Sequence, residues 1–173
     1  MMDIRNFGEN KVQEAIDKWI ELKNKNPDIK LHMIGRLQTN KVKSALTVFD
    51  YIHSVDSSKL AKKISDEQNK IDKKVKIFIQ VNIGNEDQKS GVKKNEIEDL
   101  VSYCHELKLN LKGLMCIPPM NSDPNLYFKD MNVLNKSFNF SELSMGMSSD
   151  FLQAINHSAT YLRIGSNIFG KRY

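Results

Sequence analysis

The sequence predicts an α/β protein of the (β/α)8 barrel type that lacks its first strand. Short apolar segments alternate with amphipathic segments along all 173 residues, which is the pattern of βα units around a parallel sheet. Seven strands can be counted, one fewer than a closed barrel of this type contains. Because the first strand-like segment begins almost at the first residue, the missing strand is expected upstream of it. We therefore expect residues 1–173 to form a single barrel domain, truncated at its N-terminal side.

The strands are short apolar runs bounded by polar or turn-forming residues. In chain order they are predicted at Ile4–Phe7, Leu31–Ile34, Tyr51–Val55, Val75–Ile83, Leu111–Ile117, Glu142–Met147 and Tyr161–Ile164. Apolar residues that recur at spacings of three and four predict the helices between them. These helices are expected around residues 12–19, 42–49, 60–64, 97–104 and 128–134.

Composition argues against several classes of function. The chain has 26 basic and 21 acidic residues, so an excess of positive charge could indicate a nucleic-acid partner. However, 22 of the basic residues are Lys and only four are Arg, the residue preferred for reading bases and gripping phosphates. The lysines alternate with acidic residues on predicted helix faces, so we expect no nucleic-acid partner. No apolar run is long enough to span a bilayer or resembles a secretory signal, and a cytoplasmic protein without a membrane partner is expected.

Two turns near the C-terminus carry the strongest functional signal. The segments Leu143–Asp150 and Leu162–Gly170 each place Gly and Ser just after a short apolar run. Free backbone N–H groups and hydroxyls in such turns form an anion site, and barrels often build a phosphate site from the loops after their last two strands. The best candidate donors are Ser148, Gly165 and Ser166. Arg163 lies two residues before Gly165, so strand alternation can direct it into the barrel mouth toward a ligand ring, and its structural alternative is an ion pair with a neighbouring strand.

Other polar residues allow two interpretations each. Asn10 and Gln13 have the spacing of a helix capping box, but Asn10 also follows a strand and can face the barrel mouth. His32 and His53 lie inside strand patterns, where a hydrogen-bonded core histidine is at least as common as a proton shuttle. Lys89 could be a reactive amine, although a solvated loop lysine is the simpler interpretation. None of these residues has the spacing of metal ligands, and we expect no metal.

The chain resembles the pyridoxal phosphate homeostasis family, the single-domain relatives of the alanine racemase barrel. Seven segments match the family pattern in order and cover nearly the whole chain. They are Phe7–Glu14, His32–Lys41, Ile52–Asp56, Gln80–Ile83 with Lys89–Gly91, Gly113–Pro119, Leu143–Ser148 and Arg163–Ser166 continuing to Gly170.

The resemblance implies that pyridoxal 5′-phosphate (PLP) is held at the barrel mouth, with no catalytic residue. Ser148, Gly165 and Ser166 would bind its phosphate, Arg163 would face the pyridine nitrogen, and Asn10 would lie near the ring. A guanidinium that stays charged disfavours protonation of that nitrogen, which suits a protein that handles the cofactor without turning over a substrate. PLP-dependent apoenzymes are the implied acceptors, and the chain is expected to be a monomer or weak dimer.

The chain departs from the family pattern in one respect. The family's Schiff-base lysine lies on the first barrel strand, upstream of the segment that begins at Phe7, and no residue here matches it. Three explanations stay open: a truncated chain, which is the expectation, a complementing segment from a partner, or a natural variant that binds PLP weakly or not at all. The alternatives to a homeostasis function are a fold-type III PLP enzyme, such as an amino-acid racemase, and a ligand-free interaction protein.

Overall fold

A computed structural model describes residues 4–170. Seven strands form one parallel sheet whose spatial order follows the chain order, β1 to β7. The strands are β1 (Asn6–Glu9), β2 (Lys30–Met33), β3 (Tyr51–Val55), β4 (Lys76–Val81), β5 (Asn110–Cys116), β6 (Glu142–Met147) and β7 (Tyr161–Arg163). The sheet wraps into a barrel, and within the described residues the edge strands β1 and β7 are not hydrogen-bonded to each other.

Helices alternate with the strands. They are α1 (Val12–Lys25), α2 (Val42–Val48), α3 (Ser58–Ile71), α4 (Ile97–Glu106), α5 (Pro124–Ser137), α6 (Phe151–Asn156) and α7 (Ser166–Phe169), with single 3₁₀ turns at Thr39–Lys41 and Lys94–Glu96. The five helices predicted from periodicity are confirmed as α1 to α5. Helices α6 and α7 were not predicted, because six and four residues are too few to show a helical period.

The main hydrophobic core lies between the outer face of the sheet and the helices. Leu31, Ile52, Ile77 and Leu114 are outward-facing strand residues that are fully buried against α1 to α5. Alternation along each strand directs the other residues into the lumen. There the apolar contacts are few, and Tyr51, Phe78 and Met115 form a small separate cluster.

The capping box predicted at Asn10 is wrong. Helix α1 has Lys11 at its N-cap position with no side-chain capping bond, and the Gln13 amide donates instead to Asp17 at 2.9 Å. Two of the helices are capped by side chains in the usual way: Ser57 accepts from the Leu60 N–H in α3, and Asp123 accepts from the Asn125 N–H in α5. No helix among residues 4–170 is long and apolar enough to cross a bilayer.

Candidate functional site

The turns after β6 and β7 come together at the carboxyl end of the barrel, as their sequence predicts. The Gly165 N–H donates to the Ser148 hydroxyl at 3.2 Å, and the Asn167 side-chain amide donates to the Ser148 carbonyl at 3.1 Å. Gly165 and Ser166 are exposed, and a Cβ added to Gly165 would meet no atom within 4 Å. The turns therefore place hydroxyl and main-chain donors beside an open space, the chemistry of an anion site.

Arg163, at the end of β7, points into the lumen beside these turns. One of its terminal nitrogens, Nη1, donates to the Ser144 hydroxyl at 2.8 Å, and the other, Nη2, donates to the Cys116 carbonyl at 2.7 Å. Burial lowers the pKa of the guanidinium, while the more distant charge of Asp150 acts in the opposite direction. Both hydrogen-bond acceptors are uncharged, and within residues 4–170 no carboxylate forms an ion pair with Arg163. The lumen thus holds a cation whose charge is not neutralised by direct contact, which favours an anionic ligand nearby.

Asn10 lies on another side of the mouth, in a cavity of about 340 Å³. The cavity is bounded by residues at or just after the carboxyl ends of β1, β2, β4 and β5, including Asn10, Gly35, Gln80 and Ile117. Gly35 permits this arrangement, since a Cβ there would lie 2.4 Å from the Asn10 carbonyl oxygen. The cavity and Arg163 meet at the carboxyl end of β5, because Ile117 lines the cavity and directly follows Cys116, whose carbonyl binds Arg163.

Lys89 also lines this cavity, where its side chain is mostly buried and its ammonium group is paired. Its ammonium group lies 2.6 Å from the Glu86 carboxylate and donates to the Pro118 carbonyl at 3.1 Å. The side chain is about three-quarters buried, with 28% exposed. The interpretation of Lys89 as a solvated loop residue is therefore wrong, since it is held in place at the wall of the mouth.

His32 and His53 are buried in the lumen, as expected of core histidines, and they contact each other. His32 Nδ1 lies 2.9 Å from His53 Nε2, His32 Nε2 lies 3.0 Å from Asn6 Oδ1, and His53 Nδ1 lies 2.8 Å from the Ser144 hydroxyl. Burial lowers the pKa of His32 to about 4, and it lowers that of His53 well below 6.5 with help from the nearby charges of His32 and Arg163. Both imidazoles are therefore neutral at physiological pH.

Asn6 and Ser144 belong to this site but were not among the residues selected from the sequence. Both are on strands and face the lumen, so alternation could have assigned them to it. Their contact with the histidines could not be read from the sequence, because Ser144 lies 91 residues from His53. No group of three or more His, Cys, Asp or Glu side chains among residues 4–170 is arranged to hold a metal ion.

The donors present suit a phosphorylated heterocycle. The turns that hold Ser148 and Gly165 have the donor chemistry that a phosphate group takes, and Arg163 places a charged planar guanidinium at the end of the adjoining strand β7. The cavity near Asn10 has a volume of about 340 Å³ and is lined by residues at the same end of the barrel. The residues present therefore fit the group that the resemblance implies.

Comparisons with known proteins agree with this geometry. The family model "Alanine racemase, N-terminal domain" matches residues 1–173. The pyridoxal phosphate homeostasis protein of Aquifex aeolicus is 40% identical, with 96% of this chain and 76% of the relative aligned. Its counterpart from Escherichia coli K12 is 34% identical, over 97% of this chain and 76% of the relative.

Solved structures also match this barrel. PipY of Synechococcus elongatus, solved with PLP bound, has a TM-score of 0.89 and 32% identity, over 96% of this chain and 82% of its own. Alanine racemase of Clostridium difficile has a TM-score of 0.76 at 12% identity, which shows a shared fold only. The chain belongs to the pyridoxal phosphate homeostasis family, whose fold is the alanine racemase N-terminal barrel.

Proposed function

We propose that this chain binds PLP at the barrel mouth and serves the intracellular homeostasis of that cofactor without catalysing a reaction. The main supporting observation is Arg163, a lumen cation held by two uncharged acceptors near the two turns that the Ser148–Gly165 hydrogen bond joins. Family membership and the PLP-bound PipY structure support the same ligand. We also propose that residues 1–173 act as one domain, as a monomer or weak dimer.

Each site residue has a distinct role in this proposal. Ser148 and Ser166 donate hydroxyl hydrogen bonds to the phosphate, and Gly165 turns toward it the N–H that in this structure contacts the Ser148 hydroxyl. Arg163 faces the pyridine nitrogen, and Asn10 lies toward the ring at the cavity side of the mouth. Bound PLP supplies an aldehyde conjugated to a ring that can accept electrons.

Arg163 supports the non-catalytic part of the proposal. A guanidinium stays protonated in proteins. Protonation of a ring nitrogen that faces it would place two positive charges side by side, so this protonation is disfavoured. The ring is then a weak electron sink, which suits storage and delivery better than amino-acid chemistry. PLP-dependent apoenzymes are the proposed acceptors. The free, buried thiols of Cys104 and Cys116 suit a reducing compartment, so we propose the cytoplasm.

Retention of PLP tests the proposal. The purified protein is mixed with PLP, passed through a desalting column, and examined by its visible absorbance spectrum. We expect stoichiometric retention and no racemisation of added amino acids. A spectrum with no retained PLP would remove the binding proposal, whereas racemisation above the rate of free PLP would indicate an enzyme of the racemase type.

A further inference from the structure

A line of side-chain hydrogen bonds crosses the lumen from one edge of the sheet to the other. It runs from Arg163 on β7 to Ser144 on β6, His53 on β3, His32 on β2 and Asn6 on β1, with successive separations of 2.8, 2.8, 2.9 and 3.0 Å. The backbone ladder does not join β7 to β1 within the described residues. These five side chains, called here the lumen relay, therefore connect two strands that the sheet leaves apart.

Hydrogen-bond chemistry favours one direction for the lumen relay. Arg163 can only donate, so the Ser144 oxygen accepts from it, and the Ser144 proton is free to be donated to His53 Nδ1. A neutral His53 then carries its proton on Nε2 and donates to His32 Nδ1. His32 in turn carries its proton on Nε2 and donates to Asn6 Oδ1.

The opposite direction satisfies fewer groups. If Asn6 presented its NH₂ group to His32, both imidazoles would carry their protons on Nδ1 and Ser144 would accept from His53 as well as from Arg163. The Ser144 hydroxyl proton, buried with 0% exposure, would then need another acceptor. An unsatisfied buried donor costs about 1–3 kcal/mol, so the direction from Arg163 to Asn6 is favoured.

Aromatic rings hold both imidazoles in their planes. Tyr51 stacks on His32 with ring centroids 4.1 Å apart, and Phe78 stacks on His53 at 4.4 Å. The ring of Tyr161 packs edge-on against His53 at 5.6 Å. Because neither imidazole can rotate without losing these contacts, the Ser144 hydroxyl meets a fixed acceptor.

We propose that His53 and Ser144 are positioning residues that hold the Arg163 guanidinium in the orientation that faces the PLP ring. This inference rests on the proposed function, because PLP is the ligand that Arg163 is held toward. Without the Ser144 hydroxyl, the Cys116 carbonyl is the one direct acceptor left to Arg163 among residues 4–170, and the guanidinium can turn away. Without His53 the Ser144 proton has no acceptor and the hydroxyl loses its fixed direction.

The first test needs no PLP. Nitrogen-15 NMR of the ligand-free protein at neutral pH reports which imidazole nitrogen carries the proton. We expect His32 and His53 both to be neutral with the proton on Nε2, and we expect Ser144→Ala to speed rotation of the Arg163 guanidinium. Protons on Nδ1, a charged imidazole, or unchanged Arg163 signals in Ser144→Ala would overturn the lumen relay.

The second test uses bound PLP, two variants at position 53, Ser144→Ala and one control variant. His53→Phe keeps a flat ring but removes both nitrogens, His53→Asn keeps a polar group where Nδ1 contacts Ser144, and His105→Phe alters an exposed histidine on α4 as the control. We expect His53→Phe and Ser144→Ala to weaken PLP binding about tenfold and to shift the absorbance maximum of bound PLP, because one hydrogen bond to a charged group is affected. We expect His53→Asn to restore part of the PLP affinity and part of the absorbance maximum. We expect His105→Phe to change neither quantity.

The outcomes separate the two claims. If the parent protein retains PLP and folded Ser144→Ala and His53→Phe bind it with unchanged affinity and absorbance, the positioning role is wrong while the proposed function stands. If the parent protein retains no PLP, the proposed function fails and the positioning role fails with it. In that case the NMR signals still decide whether the lumen relay exists. If Ser144→Ala or His53→Phe does not fold, the imidazole signals of the parent protein decide whether the lumen relay exists. PLP binding by His53→Asn then tests the positioning role.

Discussion

The Ser148 hydroxyl accepts a hydrogen bond from the Gly165 N–H at 3.2 Å, and this contact joins the turns after β6 and β7. It brings together residues 17 positions apart that belong to two separate βα units. The two turns thereby form one surface of donors, beside which Arg163 ends its strand.

Ser148→Ala should weaken PLP binding by about 10- to 100-fold, because a hydrogen bond to a charged group contributes about 1.5–3 kcal/mol. The free energy of unfolding without PLP should change little, since Ser148 is partly exposed. Equilibrium titration followed by absorbance measures the affinity. Ser102→Ala, on the exposed face of α4, is the matched control, and equal affinities of the two variants would exclude Ser148 from the phosphate site.

Gly113→Ala should destabilise the barrel by several kcal/mol. A Cβ at Gly113 would lie 1.7 Å from the Glu142 carbonyl oxygen, so β5 and β6 would have to separate. Thermal unfolding followed by circular dichroism measures the effect. Gly165→Ala is the control, because an added Cβ there meets no atom within 4 Å. Similar melting temperatures for Gly113→Ala and the parent protein would contradict the β5–β6 packing.

Acidification should destabilise the fold through the lumen histidines before carboxylates begin to titrate. Burial lowers the pKa of His32 to about 4 in the folded protein, whereas the unfolded value is about 6.5. Between these values the unfolded chain binds more protons, so the free energy of unfolding falls as pH drops below 6.5. We expect a loss of about 2 kcal/mol from His32 between about pH 6.5 and pH 5, with His53 adding in the same direction.

Urea unfolding over that pH range measures this effect. The free energy of unfolding of His32→Gln should depend less steeply on pH than that of the parent protein, whatever the absolute stability of the variant. His105→Gln, which changes an exposed histidine, should retain the parent slope. Equal slopes for His32→Gln and the parent would mean that His32 is not held neutral by burial.

Both cysteines should be inert in the folded protein. Burial raises the pKa of the Cys104 and Cys116 thiols to about 12, so only about one molecule in ten thousand carries a thiolate at pH 8. We expect a thiol reagent such as Ellman's reagent to react slowly with native protein and to modify two thiols in denaturant. Rapid native reaction at either position would show that the corresponding strand or helix opens readily.

The sequence predicted most of the barrel because apolar runs and amphipathic periods mark βα units directly. The predicted bounds of β3 and β6 are confirmed, since both strands are buried along most of their length. The predicted β1 is two residues too early, because Ile4 is apolar but exposed and the ladder with β2 begins at Asn6. The predicted β4 extends two residues too far, because the Asn82 side chain binds the Glu86 backbone and starts a turn.

The site was only partly predictable. The Gly and Ser turns have local signatures, so Ser148, Gly165 and Ser166 could be selected from the sequence, and Arg163 followed from strand alternation. The lumen relay has no local signature, because its members come from five strands and meet only when the sheet curves. Alternation can assign Asn6 and Ser144 to the lumen, but it cannot determine which lumen side chains touch.

The central claim is that Ser148, Gly165 and Arg163 together receive PLP. A crystal structure of this protein soaked with PLP tests it most directly. We predict a phosphate group within hydrogen-bond distance of the Ser148 hydroxyl and the Gly165 nitrogen, with the pyridine nitrogen facing the Arg163 guanidinium. PLP bound elsewhere, or those two turns without a phosphate at a saturating concentration, would contradict the account.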